Sequence, residues 1–338
     1  MRLFFMLMSF LISINISVKA NSSSPLAQTA YATAYGALDT SHQVIAHQET
    51  LLASAGYAYS AYQISSWSAA STTLTDWCQA IIKEHGLARK IHIKINPAIN
   101  ALSGFAAFGN DTVIISHAKA LEIEQAIQNS RSKEAQTTLE VSRTYLRHEI
   151  AHLKNSDTTK RLLANLFMSI ITHTGSILLE GSQFLKKSSS LFGLLTYGAI
   201  SWVTGKIKHF VHKKAVDAYC AHQEKNADDY AFATSKDPQE LRSMAHYLEE
   251  KHGEILQLLT GKATINPSLQ PDIQEAFAAT KKILEERYRQ EATAEPYEQW
   301  LKRQIEAVKV EELLFPGRPA LLDTISDARR AAQRLEAQ

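Results

Sequence analysis

The run His148-Glu149-Ile150-Ala151-His152 sets two imidazoles four residues apart, with a carboxylate directly after the first. Residues at that spacing on a helix share a face, so both rings can reach one cation. Zinc accepts neutral histidine nitrogens, prefers four ligands, and in a reactive site leaves one position to water. Glu149 falls about a quarter-turn round the helix, near such a metal but not bound to it. From there it can take a proton from a water whose pKa the metal lowers. The competing reading is a solvated helix that carries two unrelated histidines.

A third protein ligand must come from elsewhere. Gln223-Glu224-Lys225-Asn226-Ala227-Asp228 offers two carboxylates, again four apart on an expected helix. Glu224 is the better ligand. Asp228 can then accept the second N–H of a ligating histidine and fix its tautomer. Ala227 is small enough to let this helix approach the first one closely. Taken alone, an acidic pair of this kind is a solvated helix face.

These residues need a scaffold. A helical pattern from about Gln136 carries Leu139, Val141, Tyr145, Leu146 and Ile150 into the histidine motif. Upstream, Trp77, Ala80, Ile81 and Ile82 fit a short amphipathic helix ending at Gly86. Ile91 to Ile95 alternates like a half-buried strand that Pro97 stops, and Thr112 to Ser116 is a second strand after a turn at Asn110-Asp111. Helical patterns dominate the rest, broken at Pro267, Pro271, Pro296, Pro316 and Pro319. The expected class is mainly α with a small antiparallel β-sheet (α+β), its edge beside a cleft and its metal ligands on two helices.

The chain has 338 residues and a net charge of +2, with basic and acidic residues nearly balanced. That balance gives no cause to expect nucleic acid as a partner. Two cysteines, Cys78 and Cys220, are too few for a disulfide scaffold. Cys220, one helical turn before Glu224, faces either the site or the core. His209 and His212, beside four lysines, read as a solvated basic face, and His222 as pointing away from the metal.

At the N-terminus a short basic start precedes apolar residues 3–18, and Val18-Lys19-Ala20 leads into a polar Asn-Ser run. The layout fits a secretory signal over 1–20, or an uncleaved anchor of nearly spanning length. Both export the chain, to the periplasm or cell envelope, as a peripheral or integral membrane protein or a secreted one. No cysteine near Ala20 allows a lipoprotein anchor. Residues 21–74 form an Ala/Ser-rich helical region, and 75–338 a single metal-binding domain. Within it, apolar stretches 162–179 and 191–204 make a helical hairpin at about 162–211, with Lys186 and Lys187 between them. The hairpin either packs on the protein or enters a membrane.

The motifs together resemble the HtpX-like and CAAX-prenyl endopeptidase family of membrane-associated zinc peptidases. The histidine motif continues to Asn155 and Asp157 as in that family's HtpX branch. Glu224 to Asp228 is similar to its E-x-x-A-D. Asn100-Ala101 stands where the family has an Asn-Ala pair on an edge strand that binds substrate backbone. Thr324 to Arg330 resembles T-H-P-x-x-x-R, with Ile325 and Ser326 in place of His and Pro, so only Arg330 carries over. The resemblance spans roughly residues 75–338. It implies a zincin-like fold, one Zn²⁺ per chain on His148, His152 and Glu224, and Glu149 as general base. It also implies proteins or peptides as substrates and membrane association through 162–204. The alternative is a weakly active or inactive fold of the same kind that serves as a binding or chaperone-like module.

Overall fold

A computed structural model of the chain describes residues 55–97, 104–165, 167–168, 191–262, 271–291, 294–308 and 321–338. The expected signal segment 1–20, residues 21–54 of the region after it, Asn100, Ala101 and residues 169–190 of the apolar hairpin lie outside them. The chain divides into two units: Met1–Tyr59 with Leu162–Val216, and Ser60–Arg161 with Asp217–Gln338.

In the second unit, helix α1 (Thr72–Glu84) opens where the Ser71 hydroxyl accepts the Leu74 N–H, satisfying one donor of the first turn. It closes at His85, and Gly86 follows with φ +68°. Three strands come next: β1 (His92–Asn96), β2 (Phe105–Phe108) and β3 (Thr112–Ser116). Their order is β1-β3-β2. β3 pairs antiparallel with β2, placing Phe105 opposite Ile115, and parallel with β1, placing Ile93 opposite Val113. The sheet is therefore mixed, where the sequence led us to expect an antiparallel one. The reason is β2. Its Phe-Ala-Ala-Phe has too little alternation to read as a strand, yet it adds a second chain reversal between β1 and β3, so those two run the same way. Residues 68–70 cover the outer edge of β1, with Ala70 N–H donating to Ile93 and Ile95 N–H to Ser68.

Helix α2 (His117–Gln128) starts directly from β3, with Ser116 as its cap. Helix α3 (Lys133–Asn155) is capped by Ser132, whose hydroxyl accepts from Ala135 N–H. Its turns from Leu146 to Leu153 are buried on almost every side. One face, with Leu146, Ile150 and Leu153, packs into a core with Leu74, Ile82, Ile93, Phe105, Ile115 and Ile123. The 44-residue helix α4 (Leu191–Thr234) contributes Ala231 and Phe232 to a second core. That core is shared with Val141 of α3, Leu241 and Met244 of α5 (Pro238–Thr260), and Ile325 and Ala328. Helices α6 (Pro271–Glu291) and α7 (Tyr297–Val308) bury Phe277, Leu284, Trp300 and Leu301 against Leu259. The last helix, α8 (Leu321–Glu336), carries Ile325 and Ala328.

In the first unit, His212 is buried and its Nε2 lies 3.3 Å from Asn165 Oδ1. The basic stretch around it is therefore not a uniformly solvated face. Among the described residues no helix is long and apolar enough to cross a membrane. Both cysteines are free thiols, Cys78 buried and Cys220 half-buried.

Candidate metal centre

Two helices bring the reactive side chains together. α3 supplies His148, Glu149 and His152; α4 supplies Glu224 and Asp228, with Ala227 between them fully buried. The imidazoles stand edge to face, ring centroids 4.7 Å apart, with Nε2 of each 3.0 Å from Nε2 of the other. Glu224 closes the triangle. Its Oε2 lies 3.3 Å from His148 Nε2 and its Oε1 lies 3.6 Å from His152 Nε2. His148, His152 and Glu224 form a group that could hold a metal ion, one ligand atom from each lying within 4.8 Å of the others.

The far side of each ring is fixed. His148 Nδ1 meets Asp228 Oδ1 at 2.8 Å, and His152 Nδ1 meets Asp157 Oδ2 at 2.7 Å. A carboxylate accepts from Nδ1–H, which turns the Nε2 lone pair inward. Two such lone pairs at 3.0 Å repel unless a cation lies between them. In the metal-free chain a proton does this. Burial works against a charged His148, but the Asp228 carboxylate, through its charge and its hydrogen bond, wins with help from Glu224 and Glu149. The ring is held at about 10. The donor set thus fits a cation on its own chemistry: two imidazole nitrogens and a carboxylate oxygen, with further negative charge behind them.

Glu149 is only 7% exposed. No hydrogen bond or ion pair joins its carboxylate to another described residue, although its charge acts on His148. A carboxylate beside the ligand group with no side-chain partner is free to meet a water or substrate proton.

Several neighbours escaped the sequence reading. Arg161 donates to Glu224 Oε1 at 2.5 Å and to Gln223 Oε1 at 2.6 Å. Thr324 Oγ1 lies 3.5 Å from Asp228 Oδ2, so α8 reaches the site through this hydroxyl. Arg147, one residue before His148, makes a buried ion pair with Glu240 at 2.6 Å, tying α3 to the start of α5. None of these pairs follows from spacing along the chain, since the partners are far apart in sequence. The first turn of α5 did carry a local signal: Asp237 caps it and Glu240 stands three residues on.

The remaining expected site residues fall elsewhere. Asn155 is the last residue of α3 and is exposed. Arg330 is largely exposed and pairs with Asp327 on its own helix. Ser156, φ 54°, ends α3 in the left-handed region and redirects the chain, and Asp157 beyond it is buried against His152. His222 is exposed and contacts Asn226.

No protein-family model, curated protein or solved structure matches the chain.

Proposed function

We propose that the chain is a zinc-dependent endopeptidase with a zincin-like catalytic unit, cleaving proteins or peptides at the cell envelope. The observation that carries this reading is the pair of imidazoles whose Nε2 atoms converge with the Glu224 carboxylate, with Glu149 next to His148 on the same helix. Tetrahedral donors at zinc bond lengths lie about 3.3–3.4 Å apart. The two imidazole nitrogens, 3.0 Å apart, and His148 Nε2 with Glu224 Oε2, 3.3 Å apart, lie close to that value. The resemblance of both motifs to the HtpX-like family supports the same assignment, and the apolar N-terminal segment supports export.

Bound at this site, zinc supplies Lewis-acid polarisation of the scissile carbonyl and a lowered pKa for water. His148, His152 and Glu224 hold it, and Asp228 and Asp157 keep the two rings in the required tautomer. Glu149 takes the proton of the attacking water on its carboxylate and delivers it to the leaving amine nitrogen.

A second reading, a binding or chaperone-like module with a structural metal, draws on Ile325. It stands where the resembled family has a histidine and packs into the second core instead.

Zinc content and proteolysis of wild type, Glu149→Gln and Glu224→Ala test the choice. The peptidase reading expects one zinc and cleavage in wild type, zinc without cleavage in Glu149→Gln, and loss of zinc in Glu224→Ala. A wild type that holds zinc and cleaves no peptide or casein moves the binding module ahead.

A further inference from the structure

Arg161 closes a chain of polar contacts around the ligand group. Its Nη2 donates to Glu224 Oε1 at 2.5 Å and its Nε donates to Gln223 Oε1 at 2.6 Å. Gln223 Nε2 donates onward to Asp157 Oδ1 at 3.1 Å. Asp157 Oδ2 accepts from His152 Nδ1 at 2.7 Å. Two of the three ligand side chains are thereby joined through three residues that do not themselves reach the ligand atoms' meeting point. Asp157 and Gln223 are both buried, at 4% exposure each, so this chain is not a solvated surface contact.

The two oxygens of Glu224 are consequently unlike. Oε1 is engaged by a guanidinium at 2.5 Å and lies 3.6 Å from His152 Nε2, whereas Oε2 approaches His148 Nε2 more closely, at 3.3 Å. A guanidinium is a rigid planar fork with donors only. With its Nε held by Gln223, this one cannot turn aside while keeping both bonds. A charge-assisted hydrogen bond of this length occupies one carboxylate oxygen strongly. It leaves the other to a metal.

We infer that Arg161 is a positioning residue that makes Glu224 a one-oxygen ligand, keeping the fourth place around the metal open for water. The inference rests on the metal reading of this site. Its physical basis is that a reactive zinc site needs three protein donors and one open position. A carboxylate free to bind through both oxygens would crowd that position. Arg161 also sets one positive charge against the carboxylates of Glu224 and Asp157.

The test uses the full chain as wild type, Arg161→Gln and Arg161→Lys, each loaded with Co²⁺ in place of zinc. The visible absorption of Co²⁺ is intense in four-coordinate sites and weakens when a further ligand binds. Arg161→Gln is expected to bind one Co²⁺ with clearly weakened absorption. Its zinc form should lose roughly 10- to 100-fold in kcat on a peptide substrate with little change in KM. Arg161→Lys keeps a cationic donor and should recover part of both signals, and it carries the test if the glutamine variant does not fold. Equal absorption at equal metal content in all three chains overturns the inference and leaves Arg161 a structural residue. So does a wild type that takes up no Co²⁺. If the spectra change as expected while no form cleaves peptide, the positioning role stands and the peptidase reading falls.

Discussion

His148 and His152 turn their Nε2 atoms toward each other at 3.0 Å, and each ring is held from behind by a carboxylate of its own. The two carboxylates are not equivalent. Asp157 is buried and also accepts from Gln223, whereas Asp228 is less buried and has Thr324 as its other neighbour. Asp157→Ala and Asp228→Ala should each weaken metal binding roughly 10- to 100-fold, read by competition with a chelator. Asp157→Ala should also destabilise the metal-free chain, by about 1–3 kcal/mol, because it leaves Gln223 without its acceptor in a buried place, and Asp228→Ala should destabilise it at neutral pH by removing the carboxylate that holds His148 protonated. Unchanged metal affinity in both variants would exclude these rings as ligands.

Metal should stabilise the fold through the same atoms. A ligand that binds only the native state at 100 times its dissociation constant adds about 2.7 kcal/mol. For a unit of this size that corresponds to roughly 5–10 °C in Tm. Thermal unfolding with excess zinc and with chelator should show this gap in wild type and in Glu149→Gln, and lose it in Glu224→Ala. A gap that survives in Glu224→Ala means the ion binds elsewhere.

The histidine motif, the acidic pair and the helices that bear them were legible because each is a pattern of short period. Four-residue spacing on a helix places His148 with His152, and Glu224 with Asp228, whatever surrounds them. The strand Thr112–Ser116 was legible for the same reason, as a run of β-branched residues between turn signals. What the sequence did not yield is long-range or weakly patterned. Phe105–Phe108 becomes a strand by pairing with β3, and without it the sheet's mixed character cannot be inferred. Arg161 meets Glu224 across 63 residues of chain, a pairing that no local pattern encodes. Thr324 was within the C-terminal motif but drew attention only through Arg330, which instead lies exposed beside Asp327.

Ser156 offers a local test of how the fold delivers Asp157. It is the one non-glycine residue with positive φ among the described residues. The left-handed conformation costs an L-residue roughly 1–2 kcal/mol, part of which a glycine regains at the expense of a more flexible unfolded chain. Ser156→Gly should therefore leave metal affinity unchanged and hold or raise stability by up to about 1 kcal/mol in urea unfolding. Ser156→Val should lower both, since a β-branched residue resists this conformation and shifts Asp157 away from His152. Equal behaviour of the two variants would mean that the backbone turn does not position Asp157.

Cys78 should make the protein sensitive to alkali. Its thiol is buried in the first core among Leu74, Ile81 and Ile82, and burial pushes it up to about 12. In the unfolded chain the same thiol ionises near pH 8.5. Between those values the unfolded state gives up a proton that the native state keeps. The unfolded state then binds fewer protons, so stability falls as pH rises through this window and is unaffected below it. From pH 8 to pH 10 the wild type should lose about 1.5–2 kcal/mol more than Cys78→Ala, whatever the variant's lower starting stability. Cys78 should also resist alkylation in the native chain, while the half-buried Cys220 reacts first. Parallel loss of stability in the two chains, or alkylation of Cys78 before Cys220, would show that the first core admits solvent at this helix.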